Sequence, residues 1–186
     1  MIFVTVGTQL PFDRLVHLMD AWAARHPDRE CFAQVGTEGE IPVAMPSSPT
    51  LSANECRERI AGADCVVSHA GMGTILTCRD LGVPLVVVPR RHELGEARSD
   101  HQRATAAALR ELQGLYVLEG GAALDALLDE ALHAPRADQG LAHPRLETLR
   151  SGLAAWLDGG NDALHDREGA TGLQSPGLRR VSGGSG

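Results

Sequence analysis

Residues 1–6 (MIFVTV) form an apolar, largely β-branched run that stops at Gly7-Thr8, the pattern of a buried strand followed by a turn. Pro11 then opens a stretch in which Leu15, Leu18, Met19 and Trp22 recur at helical spacing. Residues 31–35 read as a second short strand ended by Gly36, and the Gly- and Pro-rich stretch 36–49 has room for one short strand around Val43. Ser52 followed by Glu55 has the form of a capping box for a helix running to about Ile60. Cys65-Val66-Val67 is a further buried strand, leading into Ser68-His69-Ala70-Gly71-Met72-Gly73-Thr74 and a helix through Leu81 that Gly82 closes. Residues 85–88 are uninterruptedly apolar between Pro84 and Pro89, as a central parallel strand covered on both faces requires. A polar loop over 90–99, an alanine-rich helix from Asp100 to about Gln113, a strand over 115–118 and a helix over 122–134 follow.

Strand–helix alternation of this kind predicts an α/β fold, a doubly wound parallel sheet of Rossmann-like type with right-handed crossovers, over residues 1–134. Residues 135–158 read as a linker and a last amphipathic helix with Leu146, Leu149, Leu153, Trp156 and Leu157 at helical spacing. Its apolar stripe is expected to meet a partner. The Gly- and Ser-rich residues 159–186 are expected to be a disordered tail.

The chain has 186 residues, 43% hydrophobic and 22% charged, enough for one soluble domain with a sizeable core. A net charge of -7 argues against nucleic-acid binding, which needs clustered Lys and Arg. Cys31, Cys56, Cys65 and Cys78 lack metal or redox spacing and read as free thiols in a reducing, cytoplasmic compartment; no metal site and no cofactor is expected. No apolar run approaches the ~18 residues of a membrane span. The N-terminus carries no signal-peptide pattern.

Ligands of open α/β sheets lie beyond the carboxyl ends of the strands. Three segments fall there. Gly7-Thr8 follows the first strand and allows close backbone approach beside a hydroxyl. In His69-Ala70-Gly71-Met72-Gly73-Thr74, two glycines and a hydroxyl residue open a helix, exposing N–H groups at the positive end of its dipole, which suits a diphosphate. Asp100-His101-Gln102 starts the next helix: Asp100 is a natural N-cap, and the Gln102 amide suits sugar hydroxyls. Each segment also reads as ordinary turn or cap chemistry. Together they describe a nucleotide-sugar site.

At these residues the sequence resembles the C-terminal domain of glycosyltransferase family 28. The likeness is carried by SHAGMGTI, LGVPLVVVPRR and LGEARSDHQ, together with the opening MIFVTVGTQLPFDRLV. It runs to about Gly120, and the wording resembles the branch holding the bacterial exopolysaccharide glycosyltransferases of the PssE/EpsF type and the small catalytic subunit of the eukaryotic dolichol-linked N-acetylglucosaminyltransferase. The resemblance implies the C-terminal, donor-binding half of a GT-B fold, a UDP-sugar donor, and inverting transfer without a metal. It places the diphosphate on Gly7, Thr8 and His69 to Thr74, and the donor sugar on Asp100, His101 and Gln102. Many relatives carry a ribose-binding carboxylate eight residues beyond the motif histidine. Thr77 stands there in this chain, and Asp80, one turn on, is the substitute to consider.

Inverting transfer builds negative charge on departing UDP, which helix N–H groups and Arg90 or Arg91 could stabilise, or the arginine pair could fork an acidic donor sugar. A general base must deprotonate the acceptor. The resemblance implies that it comes from a membrane-anchored subunit carrying the N-terminal GT-B half, which would recruit this chain to the cytoplasmic face of the inner membrane to meet a lipid-linked saccharide acceptor. Asp13 and His17 are the candidates within the chain. A non-catalytic nucleotide-sugar-binding regulatory subunit is the competing expectation; a UDP-sugar 2-epimerase would need two full domains.

Overall fold

The computed structural model describes residues 1–119 and 124–136. Six strands, β1 (Ile2–Thr5), β2 (Cys31–Gln34), β3 (Ser47–Ser48), β4 (Cys65–Ser68), β5 (Leu85–Val87) and β6 (Leu115–Val117), form one sheet in the order β3-β2-β1-β4-β5-β6. Every pairing is parallel. Between and after the strands run α1 (Asp13–Arg25), α2 (Ala53–Gly62), α3 (Met72–Asp80), α4 (His101–Leu109) and α5 (Leu124–His133). The chain winds from β1 to one edge, returns to β4 beside β1, and winds to the other edge. This is the doubly wound α/β architecture, and the reversal between β1 and β4 opens a crevice at their carboxyl ends.

Strand alternation divides the core. Ile2, Val4 and Val6 point to the face covered by Leu15, Val16, Met19 and Trp22 of α1 and by Leu124 and Leu128 of α5. Phe3, Val66, Leu85 and Val87 point the other way, where Ile60, Ile75 and Leu109 supply further buried side chains. With both faces covered, β4 and β5 are buried at every residue, which is why their sequences are continuous apolar runs rather than alternating ones.

Three local expectations are corrected. The short strand of the 36–49 stretch is Ser47–Ser48, paired with Ala33 and Gln34; Val43 is 95% exposed. The backbone near Val43 is held instead by α1, whose Asp20 carboxylate accepts from the Val43 and Ala44 N–H groups. Helix α4 ends at Leu109 because the chain turns there to bury Leu112, with Gly114 at φ 78° before β6. Asp100 stands at its N-cap position but its side chain makes no capping hydrogen bond.

The four cysteines are free: Cys31, Cys65 and Cys78 are buried and Cys56 half-buried. Burial pushes all four thiols up, Cys65 to about 12. Among the described residues no helix is long and apolar enough to cross a membrane. The helix expected over 146–157, most of the linker and the tail lie outside the described residues.

Candidate functional site

The crevice holds a cavity of about 770 Å³, within the roughly 300–1,000 Å³ typical of small-molecule sites. Its walls are the β1–α1 loop, the start of α2, the start of α3, and the segment from Glu96 to Gln102.

The floor is built around His69. An added Cβ at Gly71 would come within 2.0 Å of the His69 ring, and one at Gly7 within 2.5 Å of its Nε2, so glycine at both positions makes the room the imidazole occupies. Gly7 also holds φ 80°, which L side chains rarely adopt. Burial, with the charge of Arg90 behind it, pushes His69 down to about 4. The imidazole is therefore neutral at pH 7. Gln102 orients it: its Oε1 accepts from the Ala70 and Arg90 N–H groups at 3.2 and 3.3 Å, which leaves Nε2 facing His69 Nδ1 at 3.4 Å. With Nδ1 as acceptor, the proton sits on Nε2 and makes that atom a donor.

Just beyond His69, α3 starts at Gly71, which has no side chain to cap it. As at any helix start, the N–H groups of its first turn lack intrahelical partners, here with no side-chain cap to satisfy them, and the helix dipole adds positive potential there. Gly73 has nothing within 4 Å of where a Cβ would stand, so no packing within the chain requires glycine at this point. Its missing side chain keeps cavity space open.

The β1–α1 loop is locked from two sides. Buried Thr5 donates through Oγ1 to Gln34 Oε1 at 2.6 Å and accepts from the Gly7 N–H at 3.2 Å, while Gln34 Nε2 donates to the Gly7 carbonyl at 3.0 Å. From the other side, the Arg90 guanidinium donates to the carbonyls of Val6, Leu10 and Pro11. Glu96 joins the opposite wall to this frame: Arg14 grips its carboxylate at 2.6 and 2.8 Å, and the Arg91 N–H donates to it at 2.8 Å. Burial would raise the Glu96 carboxyl, but these bonds and the charges of Arg14 and Arg90 hold it below its ordinary value.

Of the residues singled out from sequence, Gly7, Thr8, His69, Gly71, Gly73, Thr74, Thr77, Arg90, His101 and Gln102 line the cavity. The others do not. Ala70 is buried and its N–H is taken by Gln102, and the Met72 and Asp100 side chains are not part of the wall. Asp80, one turn beyond Thr77 and the last residue of α3, is not part of the wall. The Thr77 hydroxyl donates back to the Gly73 carbonyl at 2.8 Å, so toward the cavity it can only accept. Asp13 and His17 hold the 36–49 loop instead: Asp13 accepts from the Glu40 N–H, and His17 Nε2 meets the Glu40 carboxylate at 2.7 Å. Arg91 is not in the wall. Arg90 is, but its guanidinium donates four hydrogen bonds to main-chain carbonyls. Gln102 likewise latches two loops with the carbonyl that was expected to face a sugar.

Sequence reasoning missed Gln34, Arg57 and Arg98, which also line the cavity. Gln34 had a signal, a long amide at the end of an otherwise apolar strand. Arg57 and Arg98 had none, being exposed basic residues on a helix and a loop. In a chain of net charge -7, the described walls carry Arg57, Arg90 and Arg98 against one carboxylate, Glu96, itself gripped by Arg14. Such a cavity favours an anion.

A family model, the glycosyltransferase family 28 C-terminal domain, matches residues 1–139. No curated protein matches the sequence. Solved structures similar to the chain include the glycotransferase of kitacinnamycin, at 23% identity and TM-score 0.57 over 72% of this chain and 35% of that one. CalG4, the calicheamicin glycosyltransferase, is 21% identical with TM-score 0.52, over 74% of this chain and 34% of that one. MurG of Acinetobacter baumannii is 19% identical with TM-score 0.52, over 70% and 41%. At these identities the likeness is one of fold, and the chain spans well under half the length of each structure.

Proposed function

The chain belongs to the glycosyltransferase family 28 C-terminal domain family, and from that we propose that it is the donor-binding half of an inverting glycosyltransferase that uses a UDP-sugar. The observation that carries this reading is the uncapped start of α3 in the floor of a cavity with cationic walls. A diphosphate completes it: its oxygens accept from the first-turn N–H groups of α3 and the Thr74 hydroxyl, and the His69 Nε2–H donates as a neutral group. As the sugar leaves, charge grows on the diphosphate, and donors already in place need no reorganisation. The sugar end lies toward His101 and Gln102.

The acceptor is a lipid-linked saccharide and the role is in exopolysaccharide or capsule biosynthesis. A membrane-anchored partner carries the acceptor-binding half and the general base and brings this chain to the cytoplasmic membrane face. In support, the one carboxylate lining the cavity among the described residues is held by Arg14, and Asp13 and His17 stand elsewhere. No metal is needed in this reading, since helix and side-chain donors take the leaving-group charge.

Calorimetry of the chain with UDP and a panel of UDP-sugars tests the donor site, and transfer to a lipid-linked acceptor with and without the partner tests the division of labour. UDP binding with transfer only in the presence of the partner is expected. Transfer by this chain alone would remove the partner, and absence of any nucleotide binding would remove the whole reading.

A further inference from the structure

Arg90 is 4% exposed and none of its four donor contacts goes to a carboxylate. Burying a cation is costly even with the Glu96 carboxylate acting on it through space, and an apolar side chain of similar volume would fill the same space at lower cost. What an apolar residue could not do is bond the carbonyls of two loops at once. Nη1 donates to Pro11 O at 2.7 Å and Glu96 O at 2.9 Å; Nη2 donates to Val6 O at 2.8 Å and Leu10 O at 2.6 Å. Three acceptors belong to the β1–α1 loop and one to the opposite wall. The plane of the fork is set by the fully buried Phe12 ring, 4.5 Å below it. Arg14 extends the same frame outward, donating to Pro89 O and gripping Glu96.

We infer that Arg90 is a positioning residue for the donor site, holding the Gly7 loop and the Glu96 loop at a set separation so that both walls are formed before the donor arrives. This rests on the reading of the cavity as a donor site. Preformed walls raise affinity because the loops need not be ordered on binding. Arg90 has a second, electrostatic effect on the same floor. It is the one charged group that acts appreciably on His69, since Gly7, Gly71 and Gln102, which pack on the ring, are uncharged.

Arg90→Lys and Arg90→Met separate the two effects. Lysine keeps the charge but cannot reach four carbonyls in one plane. UDP affinity, measured by calorimetry on folded protein, is expected to fall at least about tenfold in both variants. The His69 ring titration, followed by NMR, should stay low in Arg90→Lys and rise in part in Arg90→Met, since burial, the larger cause, remains. A residue that merely stabilised the fold would lower the melting temperature and move neither. Wild-type UDP affinity in folded Arg90→Lys, or an unmoved His69 in Arg90→Met, would overturn the inference. Should both variants fail to fold, Arg14→Gln frees Glu96 from outside; about threefold weaker UDP binding is expected, and unchanged binding overturns the inference. If the wild-type chain binds no UDP, the donor-site reading fails first, and amide exchange at residues 7–9 then decides: faster exchange in Arg90→Lys or Arg14→Gln supports the positioning role, and equal exchange refutes it.

Discussion

Two of the helices that border the cavity begin in opposite ways. At α2, Ser52 Oγ accepts from the Glu55 N–H and the Glu55 carboxylate accepts from the Ser52 N–H, so the helix closes itself with its own side chains. At α3 the equivalent position is Gly71, which offers no side-chain cap. The same physics of orphaned N–H groups applies to both. On the proposed reading, the α2 cap serves stability alone, whereas the start of α3 is left for the diphosphate to complete.

The largest expected difference between the two starts is their response to acid. Unfolded His69 takes a proton near 6.5, whereas folded His69, buried below α3, takes one only at about 4. The unfolded chain therefore binds more protons between these values. Stability is fully present above 6.5 and is lost as pH falls through 4, by roughly 3 kcal/mol in all at about 1.4 kcal/mol per pH unit. Denaturant unfolding at a series of pH values should show this slope, and His69→Gln should flatten it. The α2 cap acts lower, since its hydrogen bonds with Ser52 hold the exposed Glu55 carboxyl below its ordinary value. Equal slopes with and without His69 would mean that the ring is not kept neutral by its site.

Next in size is Gly71→Ala, which forces a Cβ against the His69 ring. We expect a loss of about 1–3 kcal/mol from overpacking, together with weaker UDP binding as the ring shifts. Unchanged stability and affinity would show that His69 can move away freely.

Ser52→Ala opens the α2 cap. It should cost about 1 kcal/mol in unfolding free energy and leave UDP affinity as it was. A change in affinity would mean that α2's cap also shapes the cavity, and would blur the contrast.

Smallest in stability, and sharpest for function, is Gly73→Ala. Its Cβ meets only open space, so replacing a helical glycine should stabilise the chain by roughly 0.5 kcal/mol, yet UDP binding should weaken, and Gly73→Val should weaken it further. Calorimetry on these two variants checks this. Full affinity in Gly73→Val would remove the diphosphate from the start of α3.

Much of this molecule is local and was legible in the sequence. The β-branched runs at 1–6 and 85–88 became β1 and β5, Ser52 and Glu55 formed their box, and the two glycines after His69 marked the helix start in the cavity floor. Such features follow from periodicity, propensity and neighbours a few residues away. The partners of long polar side chains did not follow. Arg90 and Gln102 were read as ligand contacts; both line the cavity, but the tertiary structure also engages them within the chain, Arg90 onto carbonyls some 80 residues earlier and Gln102 onto the loops at Ala70 and Arg90. Asp13 and His17 were drawn to the 36–49 loop, and Asp80 stands outside the cavity wall. A guanidinium or an amide goes where several acceptors or donors converge, and that convergence exists only once distant loops have been brought together by the sheet.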